Sequence, residues 1–240
     1  MPVPDARLIV PRVPEAGQPF RITGEEAAHA RARRLAAGAS VVLVDGSGAE
    51  AAGTVEGVGP GHLDVRVESI SQSPPDRLPP IHLLVAAVRA ERLAWIAEKA
   101  TELGAARLTL VESERTQGHR ASAVSLPRLE RVVREAAKQS ERARWPTLDG
   151  PRPFLGVIRE EASEHRILLD PRGESFPGEL RGGPVALLVG PEGGWSEAEQ
   201  TAALASGWTM ASLAAGKLRS ETAAVGALIL ARTALSRIPH

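Results

Sequence analysis

Two segments of the chain set glycine, charge and hydroxyl groups at the ends of apolar runs. The first is Leu188-Val-Gly-Pro-Glu-Gly-Gly-Trp-Ser196 and the second Leu213-Ala-Ala-Gly-Lys-Leu-Arg-Ser-Glu-Thr-Ala223. In each, an apolar strand runs into glycine and then into a predicted helix. Glycine lets a backbone approach a ligand closely and adopt positive φ, and α/β sheets bind ligands at the carboxyl ends of their strands. Two such ends in consecutive units can share one crevice. Taken singly, each also fits a tight turn with a helix cap.

The common fingerprints of other chemistries are missing. No G-x-G-x-x-G follows the first strand of the α/β region, and Gly216-Lys217 lacks the upstream glycine of a phosphate loop. No H-E-x-x-H or aspartate cluster suggests a metal, and no G-x-S-x-G elbow suggests a serine hydrolase. The chain has no cysteine, which excludes thiolate zinc sites, disulfides and cysteine nucleophiles.

The elements that must carry these segments follow from periodicity. Residues 1–70 read as a small β-barrel. Ser40–Val44 is a β-branched strand before an Asp45-Gly46 turn, and Leu63, Val65 and Val67 alternate with Asp64, Arg66 and Glu68. One helix, Gly24–Leu35, interrupts them, with Thr23 and Glu26 as an expected capping box. The proline- and serine-rich stretch Ser69–Pro80 marks a linker, set at residues 71–80. From 81 to 240 strands alternate with helices, an α/β pattern. The expected strands are Ile81–Val88, Arg107–Val111, Arg166–Leu169, Val185–Val189 and Trp208–Leu213. The expected helices are Arg92–Leu103, Leu126–Arg142, Phe154–Ala162, Glu197–Ser206 and Glu221–Ser236. Ser196 and Glu199 form a second capping box.

Twenty-nine Lys and Arg balance 29 Asp and Glu, so bulk charge would not drive nucleic-acid binding. Any such contact needs a local patch. Arg115, Arg120, Arg128, Arg131, Arg134, Lys138, Arg142 and Arg144 offer one, and Arg31, Arg33 and Arg34 another. Both runs also fit solvated faces balanced by glutamate. Aromatic residues are 3% of the chain, so base stacking has few platforms. No apolar run reaches the ~20 residues of a membrane helix, and no secretory signal follows Met1, so a cytoplasmic protein with no membrane partner is expected.

Val-Gly-Pro-Glu-Gly-Gly-Trp-Ser-Glu-Ala-Glu and Leu-Arg-Ser-Glu-Thr-Ala-Ala resemble the signature motifs of the bacterial 16S ribosomal RNA uracil-N3 methyltransferases, a family of the SPOUT class. Glu98-Lys-Ala-Thr-Glu-Leu-Gly104, Ser113-Glu-Arg115, Glu135-Ala-Ala-Lys-Gln-Ser140, Arg33-Arg-Leu35 and Val44-Asp-Gly46 extend the match over nearly the whole chain.

The resemblance implies a PUA-like β-barrel before an α/β methyltransferase domain whose parallel sheet ends in a deep trefoil knot. It implies S-adenosylmethionine (SAM) as cofactor, no metal, a homodimer, and 16S rRNA or the small ribosomal subunit as partner. The cofactor would lie against Leu169, Val189, Gly190, Pro191, Glu192, Gly193, Gly194, Leu213, Gly216, Leu218 and Thr222. Gly190 and Gly216 are expected to be small because the backbone closes on it. Uracil N3 must lose a proton before it can attack. Arg219 is therefore expected to ease negative charge on the uracil oxygens, with Glu221 or Glu192 orienting groups or accepting the proton, and Arg115 nearby. RNA contact falls to Arg7, Arg12, Arg33, Arg34, Arg115 and Arg142. A tRNA-directed SPOUT methyltransferase and a non-catalytic ribosome-assembly factor remain alternatives.

Overall fold

The structure, a computed structural model, describes residues 4–86, 88–116, 125–214 and 216–236. Arg120 lies outside them. The chain divides into two compact units.

The first unit takes the residues up to Pro75 together with Ala137–Arg144. Its elements are β1 (Ala6–Ile9), β2 (Pro19–Thr23), α1 (Gly24–Ala32), β3 (Ser40–Val44), β4 (Ala49–Gly59) and β5 (His62–Gln72). The strands form one mixed sheet in the order β1-β3-β4-β5-β2. Leu63, Val65 and Val67 turn inward onto Leu8, Val41, Leu43 and Val55, as their alternation requires. The Asp45 carboxylate accepts the Ser47 N–H at 2.9 Å and so closes the β3–β4 turn.

Two expectations need correction here, and two strands were missed. Thr23 makes no side-chain cap bond, and the Glu26 carboxylate accepts from the Ile9 N–H and from Lys138 instead. Ser69–Gln72 belongs to β5 and pairs with β4, since the prolines begin only at Pro74. β1 and β2 had too few apolar alternations to be read in advance.

The second unit runs β6 (Ile81–Ala86), α2 (Ala90–Glu102), β7 (Arg107–Glu112), α3 (Leu126–Gln139), β8 (Thr147–Pro153), α4 (Phe154–Glu160), β9 (His165–Ser175), β10 (Val185–Val189), α5 (Glu197–Ala205), β11 (Thr209–Ser212) and α6 (Ser220–Ser236), with the end of α3 counted in the first unit. Six parallel strands lie in the order β11-β9-β10-β6-β7-β8. Every residue of β10 is buried, as suits a central parallel strand covered on both faces. Leu83, Val85 and Leu187 pack under α2, α3 and α6. Leu84, Ala86 and Leu188 pack under α4 and α5.

β9 and β10 are neighbours, yet the chain between them makes a long excursion. Leu180 of that excursion is buried against the α2/α6 side, and its N–H donates to the Ala234 carbonyl of α6. The C-terminal helix α6 thus packs against the connection between β9 and β10.

β8 was not expected, because Thr-Leu-Asp-Gly-Pro-Arg-Pro lacks an apolar run. It is an edge strand paired only with β7, where proline is tolerated. α3 stops at Gln139 rather than Arg142, and Glu141 takes a positive φ of 55°. β9 continues through Pro171 to Ser175, with an irregularity where β11 pairs with it. The Ser196–Glu199 capping box forms as read.

Candidate active site

A cleft opens at the carboxyl ends of β9, β10 and β11. Three segments wall it. One is Leu169–Pro171, where the register of β9 against β11 jumps and the chain loops outward. The second is the glycine-rich turn after β10, and the third is the loop from β11 into α6.

Two side-chain bonds hold these walls together. The Trp195 indole N–H donates to the Leu169 carbonyl at 3.2 Å. The Ser220 hydroxyl donates to the Gly190 carbonyl at 2.8 Å. Within the first wall sits Asp170, only 5% exposed. Burial pushes its carboxyl up, but hydrogen bonds from Arg172 and Gln200 outweigh that and hold it below the usual carboxylate value. The glycine-rich turn is braced by Glu199, which accepts from the Glu114 and Ser196 N–H groups, and by Arg115, which donates to the Gly193 carbonyl at 2.7 Å.

Of the cofactor residues read from the sequence, Leu169, Val189, Gly190, Pro191, Gly194, Leu213, Gly216 and Leu218 line the cleft. Glu192, Gly193 and Thr222 do not. Glu192 turns to Arg92 at the start of α2, Gly193 faces the Arg115 side chain, and Thr222 is exposed on α6. The two glycines differ in their reason. A Cβ on Gly190 would stand 3.0 Å from the Trp195 indole nitrogen, so its smallness serves packing. A Cβ on Gly216 would meet nothing within 4 Å, so its side of the cleft is open.

The candidate catalytic groups are placed unequally. Arg219 is exposed, between the lining residues Leu218 and Ser220 in sequence, and makes no side-chain hydrogen bond or ion pair with a described residue. Glu221 opens α6 with its side chain 17% exposed; one carboxylate oxygen lies 3.7 Å from Arg92 Nε. Its other oxygen, Oε2, is buried without a partner among the described residues. Such an oxygen is costly to leave unpaired. Arg115 is spent in part on the turn.

Among the proposed RNA contacts, Arg12, Arg33 and Arg34 are exposed. Arg7 is a correction: its side chain is 14% exposed and ion-paired with Glu50, so it faces inward. Arg142 is half-buried, and its Nε donates to the Arg144 carbonyl at 3.3 Å. The reading also missed Asp170, Ser220 and Arg92. Ser220 and Asp170 stood at strand or helix ends already singled out, but Arg92 carried no signal beyond a charge in the first turn of a helix.

Residues 75–232 match the model of the RNA methyltransferase domain, and residues 22–68 that of the RNA methyltransferase PUA domain. A structure from Legionella pneumophila with bound SAM superposes with a TM-score of 0.86 at 26% identity, covering 96% of this chain and 98% of that one. A probable rRNA-methyltransferase from Porphyromonas gingivalis gives 0.85 at 28% identity, covering 96% and 98%. The Mycobacterium bovis ribosomal RNA small subunit methyltransferase E is 35% identical over 231 residues, 91% of this chain and 88% of that protein. The knotted sheet, the walled cleft at its carboxyl edge and these matches together show that the chain belongs to the ribosomal RNA small subunit methyltransferase E family of RNA methyltransferases.

Proposed function

We propose that this chain methylates N3 of one uridine in 16S ribosomal RNA of the small subunit, using SAM. The observation that carries the reading is the cleft itself. Its mixture of apolar walls (Leu169, Val189, Leu213, Leu218), close-approaching backbone and an open side at Gly216 fits a bent nucleoside cofactor. When bound, SAM supplies an activated sulfonium methyl group. The chain's own residues then have two tasks.

The first is to bring the uracil to the mouth of the cleft and hold it, since positioning is the larger part of such a transfer. Arg219, exposed and unpaired, presents a planar pair of donors to the uracil oxygens as charge develops there. The second is to take the N3 proton. The unpartnered Oε2 of Glu221 is the acceptor best prepared for it, and it is preferred over Glu192, whose carboxylate is already engaged by Arg92. The first unit supports RNA contact through Arg12, Arg33 and Arg34. Homodimerisation in the cytoplasm completes the reading. Trp95 on α2 and Ile229 and Leu230 on α6 stand exposed on helices that pack together, apolar surface that a second copy would cover.

The test is mass mapping of 16S rRNA from a strain lacking this chain, followed by re-addition of the purified protein and SAM. A single uridine should lose its N3 methyl group and regain it. An unchanged 16S rRNA with a changed tRNA would transfer the activity to tRNA, and no methyl transfer despite RNA binding would leave an assembly factor.

A further inference from the structure

The walls of the cleft are joined at a second place, outside the cleft lining. Arg92, in the first turn of α2, ion-pairs with Glu192 of the glycine-rich turn and lies 3.7 Å from Glu221 in the first turn of α6. Its side chain is 26% exposed, so both interactions are partly shielded from solvent. One guanidinium serves two carboxylates because its donors spread over a planar fork; a lysine ammonium is a single point. Without it, the two carboxylates would face one another with only mutual repulsion. Arg92 also stands beside the one oxygen of Glu221 that has a neighbour, leaving Oε2 free.

We propose that Arg92 is a positioning residue: it couples the glycine-rich turn to the start of the knotted helix, so that both walls keep the spacing the cofactor needs. The inference rests on reading the cleft as a SAM site. It assigns the first turn of α2 to the machinery, although no residue of α2 touches the cleft.

The experiment compares wild type, Arg92→Ala, Arg92→Lys, Glu192→Gln and the double variant Arg92→Ala/Glu192→Gln as full-length proteins. Amide hydrogen exchange of residues 190–195 is read without cofactor, and SAM affinity by calorimetry. Arg92→Ala should speed exchange in the turn and raise the Kd for SAM by about tenfold, the usual size of a coupling between linked sites. Arg92→Lys should recover part of both losses. In the Glu192→Gln background, Arg92→Ala should raise Kd less than about threefold, because the shared tie is already broken. Unchanged exchange in Arg92→Ala overturns the tie. Equal losses of affinity in both backgrounds, or full rescue by lysine, overturn the two-carboxylate role. Faster exchange in a protein whose wild type binds no SAM overturns the cofactor reading instead, and with it the function assigned to the tie.

Discussion

Gly216→Val and Gly190→Ala should separate the site from the fold, although the two glycines look alike in sequence. Gly216 lines the cleft, and a side chain there would enter open space. Its backbone is outside the positive-φ region, so valine adds no local strain and slightly restricts the unfolded chain. Stability should therefore change by less than about 1 kcal/mol. A valine narrowing that wall should cost at least tenfold in SAM affinity, roughly 1.4 kcal/mol. Gly190→Ala acts in the opposite sense. The new methyl would sit 3.0 Å from Trp195 Nε1 and 3.1 Å from Cε2. The indole cannot retreat freely, because it is buried, bonded to the Leu169 carbonyl and packed 5.2 Å from Phe154. Crowding of this kind costs about 1–3 kcal/mol, which for a chain of this size lowers the melting temperature by roughly 2–4 °C per kcal/mol. Differential scanning fluorimetry and SAM titration of both variants make the comparison. Wild-type affinity in Gly216→Val, or an unmoved melting transition in Gly190→Ala, would refute the reasoning.

Arg219→Ala should slow single-turnover methylation by about 10²-fold while SAM affinity changes less than about tenfold, because the charge it meets arises only as the reaction proceeds; loss of melting temperature in step with rate would show a bracing role instead. Alanine at Arg33 or Arg34 should weaken RNA binding and reduce the salt slope by about one unit each, whereas Arg7→Ala should lower stability and leave the slope alone, as a salt titration of RNA affinity would reveal. The Glu161 carboxyl, at the end of α4, gives a pH signature. Burial pushes it up, yet hydrogen bonds from His82 and Ser163 dominate and hold it at about 2, below its ordinary 4.5. A depressed carboxyl stabilises the fold above pH 4.5, and the contribution fades as pH falls toward 2. Allowing for solvent in the adjoining polar cavity, it is worth roughly 2 kcal/mol. Urea midpoints of wild type and Glu161→Gln should therefore converge in acid, and a constant gap from pH 7 to pH 3 would exclude this account.

Much of this protein is written in local pattern. The buried run Val185–Val189 identifies a central parallel strand, because only a strand covered on both faces can be apolar at every position. Ser196 and Glu199 announce the start of α5, since the capping box is closed within four residues. The two glycine-rich strand ends, with the resemblance they carry, point to the cleft and to most of its lining. What periodicity could not reveal are features that depend on residues far apart in the chain. β8 has no apolar rhythm and exists only because β7 offers it an edge. Ala137–Arg144 packs with the first unit through partners such as Glu26, Gly48 and Ser73, which no linear boundary anticipates. The packing of α6 against the β9–β10 connection joins distant parts of the chain, with no local signal of its own. The same holds within the site. Gly190 and Gly216 share a residue type and a context, but the tertiary structure puts an indole against one and open space beside the other. Arg7 and Arg33 are equally basic in sequence, and only the fold turns one inward to Glu50 and leaves the other in solvent. Local sequence sets which elements form and where their ends lie; which side chains meet across those ends is decided by packing over long separations.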